Sequence, residues 1–257
     1  MDNVFEHKLR VRYYEVDCKD SIKPAAIFNF MQDAAASHVR QLGLSVADLG
    51  KKNLTWVISR FHLRLLHYPR GNDRITIHTW PSTKDGLFSC REYTIRYEDG
   101  KVIALATSSW AAVNITTRRP VRLKDHLRDF PLKSERAIED DFPSLPRPGR
   151  IDGEQRFQVR RSDLDINRHV NNAVYVDWAL ETVPLSIAEK YRLAEIEVSF
   201  RGEALYGDNV VCSCEVFPVS AEEVECLHQL VNEIDGKELT RFRSFWRLLV
   251  DGQKAAA

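Results

Sequence analysis

The stretch VRRSDLDINRHVNNAVYVDW, residues 159–178, reads as a second copy of VRYYEVDCKDSIKPAAIFNF, residues 11–30. At an offset of 148, Val11 meets Val159, Arg12 meets Arg160, Asp17 meets Asp165, Ala25 meets Ala173 and Phe30 meets Trp178. Further on the offset is 136. Gly71 then meets Gly207, Asp99-Gly100-Lys101 meets Asp235-Gly236-Lys237, and Trp110 meets Trp246. The change of offset places an insertion in the first copy, as a longer helix through AASHVRQLGLSVADLG (35–50). Identities in the same order with one interpretable gap predict an internal duplication.

Each copy has the same grammar. A short strand (LRVRY; FQVRR) leads to a helix (PAAIFNFMQDAAASHV; NNAVYVDWALETV), and four strand-like runs follow. In the first copy these are TWVISRFHLRLL, DRITIHTW, LFSCREYTIRYE and VIALATSSWAAVNI. In the second they are EIEVSFRGE, NVVCSCEVF, EVECLHQLVNEI and ELTRFRSFWRLLV. Alternation at Tyr93, Ile95 and Tyr97 gives the period of two, and the two DGK turns mark hairpins. The expected fold class is α+β, with a curved antiparallel sheet wrapped around one long helix in each copy. Pro120, Pro131, Pro143, Pro146 and Pro148 mark the stretch between the copies as a linker packed over the surface. The expected domains are residues 1–122, a Pro-rich linker 123–154, and residues 155–257.

Composition narrows the function classes. Hydrophobic residues make up 44% and charged residues 29% of the 257, the balance of a globular protein. Lys+Arg and Asp+Glu are equal at 37 each, so bulk charge points to neither nucleic acid nor an anionic membrane. No run approaches a membrane-spanning length of apolar residues. The five cysteines lack paired CxxC spacing, which argues for packing thiols over a disulfide framework or a metal site. No cofactor is expected.

The second copy carries Asp165, Asn167 and His169 at alternate positions ahead of its helix. In an extended segment, residues two apart share a face and converge on one site. Asn171 or Asn172 is placed to cap the helix. Free amides in the first turn, with the helix dipole, favour an anion such as a tetrahedral oxyanion. The alternative is plain: Asp and Asn before a helix serve as caps, and a lone His is a surface or core residue.

The run D-x-N-x-H-V-N-N-x-x-Y-x-x-W-x-L-E, carried by Asp165 through Glu181, resembles the acyl-acyl carrier protein thioesterases. The resemblance covers nearly the whole chain. It implies two tandem hotdog repeats forming a pseudo-dimer, and a fatty acyl chain presented on phosphopantetheine by an acyl carrier protein. The implied reaction is hydrolysis of that thioester to a free fatty acid. The implied partner acid lies in Phe200-Arg201-Gly202-Glu203-Ala204, where Glu203 matches and Ala204 stands in place of a cysteine. A cysteine nucleophile at that position is therefore excluded. Water activated by Glu203, positioned by His169 and Asn167 with Asp165 behind them, is the expected chemistry. Strict alternation puts Glu203 on the polar face of its strand, so it needs a strand end or a bulge at Gly202 to reach the site.

In the first copy the offset of 148 puts Lys19 under Asn167 and Ser21 under His169, and the offset of 136 puts His67 under Glu203. The first copy has thus lost the constellation. The resemblance assigns it the acyl chain, with Phe30, Met31 and Trp56 as wall candidates against ordinary core. An acidic carrier protein calls for a basic docking surface, for which Arg118, Arg119 and Arg122, or Arg60, Arg64, Arg70 and Arg74, are candidates. Plant relatives carry a transit peptide, and this N-terminus lacks that look, so a bacterial, cytoplasmic member is expected. A homodimer is compatible with the sequence. Two rivals are an acyl-CoA thioesterase of the same fold and a non-catalytic acyl sensor, the latter lacking any DNA-binding flank.

Overall fold

The computed structural model describes residues 4–249, so the outer ends of the two expected domains, 1–3 and 250–257, lie outside the described residues. The chain divides into two compact units. Unit 1 takes in residues up to Ile22 together with Asn29–Phe142, and unit 2 takes in Lys23–Phe28 and the chain from Pro143 onward.

Unit 1 runs β1 (Phe5–Arg10), a 3-10 turn (Tyr13–Glu15), α1 (Pro24–Gln41, its first turn counted with unit 2), α2 (Val46–Gly50), β2 (Leu54–Leu65), β3 (Arg74–Asp85), β4 (Phe88–Tyr97), β5 (Val102–Asn114) and α3 (Leu123–His126). Its strands lie in the order β1-β3-β4-β5-β2, antiparallel throughout. Unit 2 repeats this plan with β6 (Gly153–Gln158), a 3-10 turn (Arg161–Asp163), α4 (Asn172–Glu181), α5 (Leu185–Ala188), β7 (Tyr191–Phe200), β8 (Asn209–Pro218), β9 (Glu223–Asn232) and β10 (Glu238–Leu248). Its order β6-β8-β9-β10-β7 is the same order, element for element. The fold is α+β, a hotdog in each unit, as the duplication predicts.

The insertion in the first copy is more than a longer helix. α1 has 18 residues against 10 in α4, and the chain then turns at Gly43 (φ 63°) into the separate helix α2, capped by Ser45 and Asp48. α2 brings Leu49 against Leu44, Leu54, Ala112, Leu123 and Leu127, all buried. Trp56 packs on this cluster and donates its indole N–H to Leu44 O at 2.9 Å, which assigns it to the core of unit 1.

The segment between the copies is pinned by buried polar groups. In unit 1, Glu92, fully buried, accepts from Arg136 Nε at 2.8 Å, Ala137 N–H at 3.1 Å, Ser82 Oγ at 2.7 Å and Thr107 Oγ1 at 2.9 Å. Burial pushes the Glu92 carboxyl up, against these donors and the Arg136 charge. His62, buried, and Asp140, half-buried, pair at 2.7 Å. In unit 2, Arg241 donates to Leu145 O, and Gly149 N–H reaches Glu215 at 2.6 Å. A buried carboxylate left without such partners costs several kcal/mol, so these contacts hold the segment down.

Candidate active site

In unit 2 the segment from Asp165 to Val170 is a tight loop, which corrects the extended geometry expected from the sequence. Asp165 N–H donates to His169 O at 2.8 Å and Arg168 N–H to Asp165 O at 3.0 Å, with Arg168 left-handed at φ 65°. The organising group is the Asp165 carboxylate. Its Oδ1 accepts from Asn167 N–H at 2.8 Å and His169 N–H at 3.1 Å, and its Oδ2 from the Asn167 side-chain amide at 3.3 Å. A short acidic side chain gathers successive amides in this way because each is otherwise unpaired.

α4 begins directly behind the loop. Asn171 is its cap: Oδ1 accepts from Ala173 N–H at 3.0 Å, and its carbonyl takes Val174 N–H at 2.9 Å. The cap thus occupies two amides of the first turn, which the sequence reading had left open for an oxyanion.

Glu203 arrives by the bulge that alternation demanded. β7 ends at Phe200, and the N–H groups of Arg201 and Gly202 both point to Leu239 O, at 2.9 Å each. Two residues facing one carbonyl is a β-bulge, and it resets the phase of the strand. Gly202 fits closely there: a Cβ would stand 3.1 Å from Glu238 O and 3.1 Å from Lys237 Cε. The next peptide is clamped from two sides. Ala204 N–H donates to the Tyr175 hydroxyl at 2.9 Å, and Ala204 O accepts from Val170 N–H at 3.1 Å. Tyr175 projects from α4, buried, with its edge against Trp178 and Phe200. Burial pushes its hydroxyl pKa up, so it stays a neutral phenol.

The outcome is a contact between His169 Nε2 and Glu203 Oε2 at 3.4 Å, with side chains 21% and 42% exposed. Of the four expected residues, the structure therefore brings together His169 with Glu203, and Asp165 with Asn167. Motif matching singled out Tyr175 without giving it a task, and its grip on Ala204 follows only from where the bulge falls. Beside the loop lies a depression of about 240 Å³ lined by Gln158, Val159, Arg160, Arg161, Tyr206 and Gly207, with the Arg161 guanidinium over the Tyr206 ring at 5.4 Å.

Unit 1 builds the same loop with Lys19 and Ser21 in place of Asn167 and His169. Asp17 Oδ1 accepts from Lys19 N–H at 2.8 Å and Ser21 N–H at 3.0 Å, and Asp20 is left-handed at φ 50° where Arg168 is. The partner of Glu203, however, is Tyr68 and not His67. Ile22 N–H bonds Pro69 O as Val170 N–H bonds Ala204 O, and Val11 N–H bonds Asp73 O as Val159 N–H bonds Asp208 O. Asn72 (φ 75°), not Gly71, matches the left-handed Gly207 (φ 86°). The offset here is 135: the bulge in unit 1, where Leu66 and His67 N–H both reach Ile103 O, falls under that at Arg201 and Gly202, and the offset becomes 136 only at the DGK turns, where Tyr97 N–H reaches Lys101 O but Asn232 N–H reaches Lys237 O.

The basic clusters fare unequally. Arg60 is half-buried and bonded to Ser59 O at 3.0 Å, and Arg74 faces Glu98 at 3.4 Å. Arg118, Arg119 and Arg122 are exposed beyond the end of β5.

Comparison with known proteins agrees with this architecture. The chain is 27% identical to the 12:0-ACP thioesterase from Umbellularia californica, with a TM-score of 0.82 over 96% of this chain and 95% of that one. It is 25% identical to an acyl-ACP thioesterase from Bacteroides thetaiotaomicron, with a TM-score of 0.80 over 96% and 98%. Among curated proteins it is 30% identical to the chloroplastic palmitoyl-acyl carrier protein thioesterase of Arabidopsis thaliana, over 95% of this chain and 64% of that protein. The chain thus spans a little under two thirds of the length of the curated relatives it matches first. Residues 2–130 match the family model for the acyl-ACP thioesterase N-terminal domain, and residues 149–248 that for the C-terminal domain. The chain belongs to the acyl-ACP thioesterase family.

Proposed function

We propose that the protein hydrolyses the thioester of a fatty acyl chain carried on the phosphopantetheine of an acyl carrier protein. The observation that carries this is the contact of His169 with Glu203 beside a loop held by Asp165, in a chain of this family. Glu203 is the base: it takes a proton from water whose oxygen adds to the thioester carbonyl carbon. His169 touches Glu203 through Nε2 and orients it, and Asn167, tied to Asp165 through its amide, holds the water with the remaining oxygen. Asp165 acts through the loop it folds. The tetrahedral intermediate collapses with cleavage of the C–S bond, and the proton held by Glu203 returns to the departing thiolate. A thiol with a reference pKa near 8.5 leaves readily, so the demand on the site is delivery of the nucleophile. No metal or cofactor is part of this route.

The proposal extends to a division of labour, with the catalytic residues in the region 155–257, the acyl chain housed by the region 1–122, and 123–154 as the connection. The 18-residue α1 and the added α2 give the first region an apolar cluster around Leu44, Leu49 and Leu54. Arg118, Arg119 and Arg122 are the proposed contacts for the acidic carrier protein. Among the described residues no helix is long and apolar enough to cross a membrane.

The test is thiol release from a series of acyl chain lengths, each offered on acyl carrier protein and on coenzyme A. Faster release from the carrier protein supports the proposal and identifies the preferred chain. A preference for coenzyme A moves the substrate to the other thioester class. Tight acyl binding without release on either carrier leaves an acyl sensor.

A further inference from the structure

Unit 2 contains a second cluster of reactive side chains. Cys214 on β8 stands directly opposite His228 on β9, and Cys226 lies two residues before His228 on the same face. The Sγ atoms of Cys214 and Cys226 and a ring nitrogen of His228 all lie within 4.8 Å of one another. Cys214, Cys226 and His228 are each 0% exposed. The sequence pairs Cys212 with Cys214 on one strand, and so misses this group, whose second thiol and imidazole come from the neighbouring strand.

Hydroxyl groups face both nitrogens of the imidazole. Thr182 Oγ1 gives its proton to Ala179 O at 2.6 Å, so toward His228 Nδ1, 3.2 Å away, it accepts. Ser244 Oγ takes the Trp246 indole N–H at 3.0 Å and lies 2.9 Å from His228 Nε2. Thr182 Oγ1 is thus placed to receive a proton on Nδ1, the tautomer that leaves the Nε2 lone pair for an ion. An imidazole that ligates a metal has this form: one nitrogen donates to a fixed oxygen while the other keeps a lone pair for the ion.

We propose that Cys214, Cys226 and His228 bind a thiophilic d10 cation, Zn²⁺ in the first instance, in the interior of unit 2. Two thiolates neutralise the divalent charge, which a buried site requires. The Ser244 hydroxyl, beside Nε2, supplies the fourth position. Zinc–sulfur and zinc–nitrogen bonds of about 2.3 and 2.0 Å set ligand atoms between roughly 3.4 and 3.8 Å apart, so the cluster need close by no more than about 1 Å on binding. This site is independent of the thioester chemistry, and its ligands are none of the residues assigned to it.

The experiment uses the full chain produced with zinc and, separately, with cobalt in the medium. The expected result is one zinc per chain, retained through gel filtration and set free when the thiols are modified, and thiolate-to-cobalt charge-transfer absorption in the cobalt form. Cys226→Ser and His228→Gln, each checked for native circular dichroism, should lower the retained metal at least about tenfold. Native protein that carries no metal and shows no charge-transfer band, or retention equal in both variants, overturns the proposal. The measurements on the native chain decide the matter even where a variant does not fold.

Discussion

The loops at Asp17 and Asp165 are one structure used twice. Both carboxylates gather the amides two and four residues ahead, both loops turn through a left-handed residue, and both hand the chain to a helix. Because Asp17 does this where Lys19, Ser21 and Tyr68 stand around it, the Oδ1 of Asp165 is accounted for by folding the loop. What unit 2 adds is Asn167 on Oδ2, the imidazole of His169, and Glu203 after a bulge that unit 1 shares at Leu66 and His67. A duplicated scaffold therefore separates the parts that build a site from the parts that use it.

The comparison breaks most visibly in rate. Replacing His169 by Ala or Glu203 by Gln should slow thioester hydrolysis by roughly 10² to 10⁴, whereas Tyr68→Phe in unit 1 should leave it unchanged; steady-state thiol release measures both.

The next effect lies in unit 1 alone and follows pH. His38 is buried, accepts from the Arg91 guanidinium at 3.1 Å, and stacks on Phe5. Burial, then the Arg91 charge, pushes its pKa down to about 4. The unfolded chain binds this proton from about pH 6.5 downward and the folded chain does not, so stability falls as pH drops from about 6.5 to about 4. The loss is at most about 3 kcal/mol. Denaturant midpoints across that range should slope less in His38→Gln than in the native chain.

Smaller again is the paired loss of the two aspartates. Asp17→Ala and Asp165→Ala should each cost about 2 kcal/mol, since each leaves two amides without their acceptor. Only Asp165→Ala should also cut the rate. Asp165→Asn keeps an acceptor at Oδ1 and should recover much of that stability. Tyr175→Phe is the mildest, about 1 kcal/mol, from leaving the buried Ala204 N–H unpaired. It should lower kcat with KM little changed, because Glu203 loses a support while the substrate loses no contact.

Much of this was legible in the sequence because duplication supplies its own control. The order of identities gave five strands and a helix per unit, the DGK turns fell between β4 and β5 and between β9 and β10, and the motif led to the loop. A strand end or a bulge at Gly202 follows from a conflict of phase, which is a physical signal. Three things escaped. The loop at Asp165 reads as extended, since alternate polar residues look alike in a strand and in a turn wound about a carboxylate. The offset of 135 is hidden because the turn after β9 is one residue longer than that after β4, so matching the DGK turns leaves Gly71 and Gly207 falsely aligned. The buried Glu92–Arg136 and His62–Asp140 pairs join residues far apart in sequence, and no local pattern announces them.

The most direct measurement compares the rate of free fatty acid release from acyl carrier protein for the native chain, Glu203→Gln and Ser21→Ala, all folded by circular dichroism. The account predicts loss of release with Glu203→Gln and a native rate with Ser21→Ala. A native rate with Glu203→Gln, or its loss with Ser21→Ala, would contradict the assignment of catalysis to the loop of unit 2.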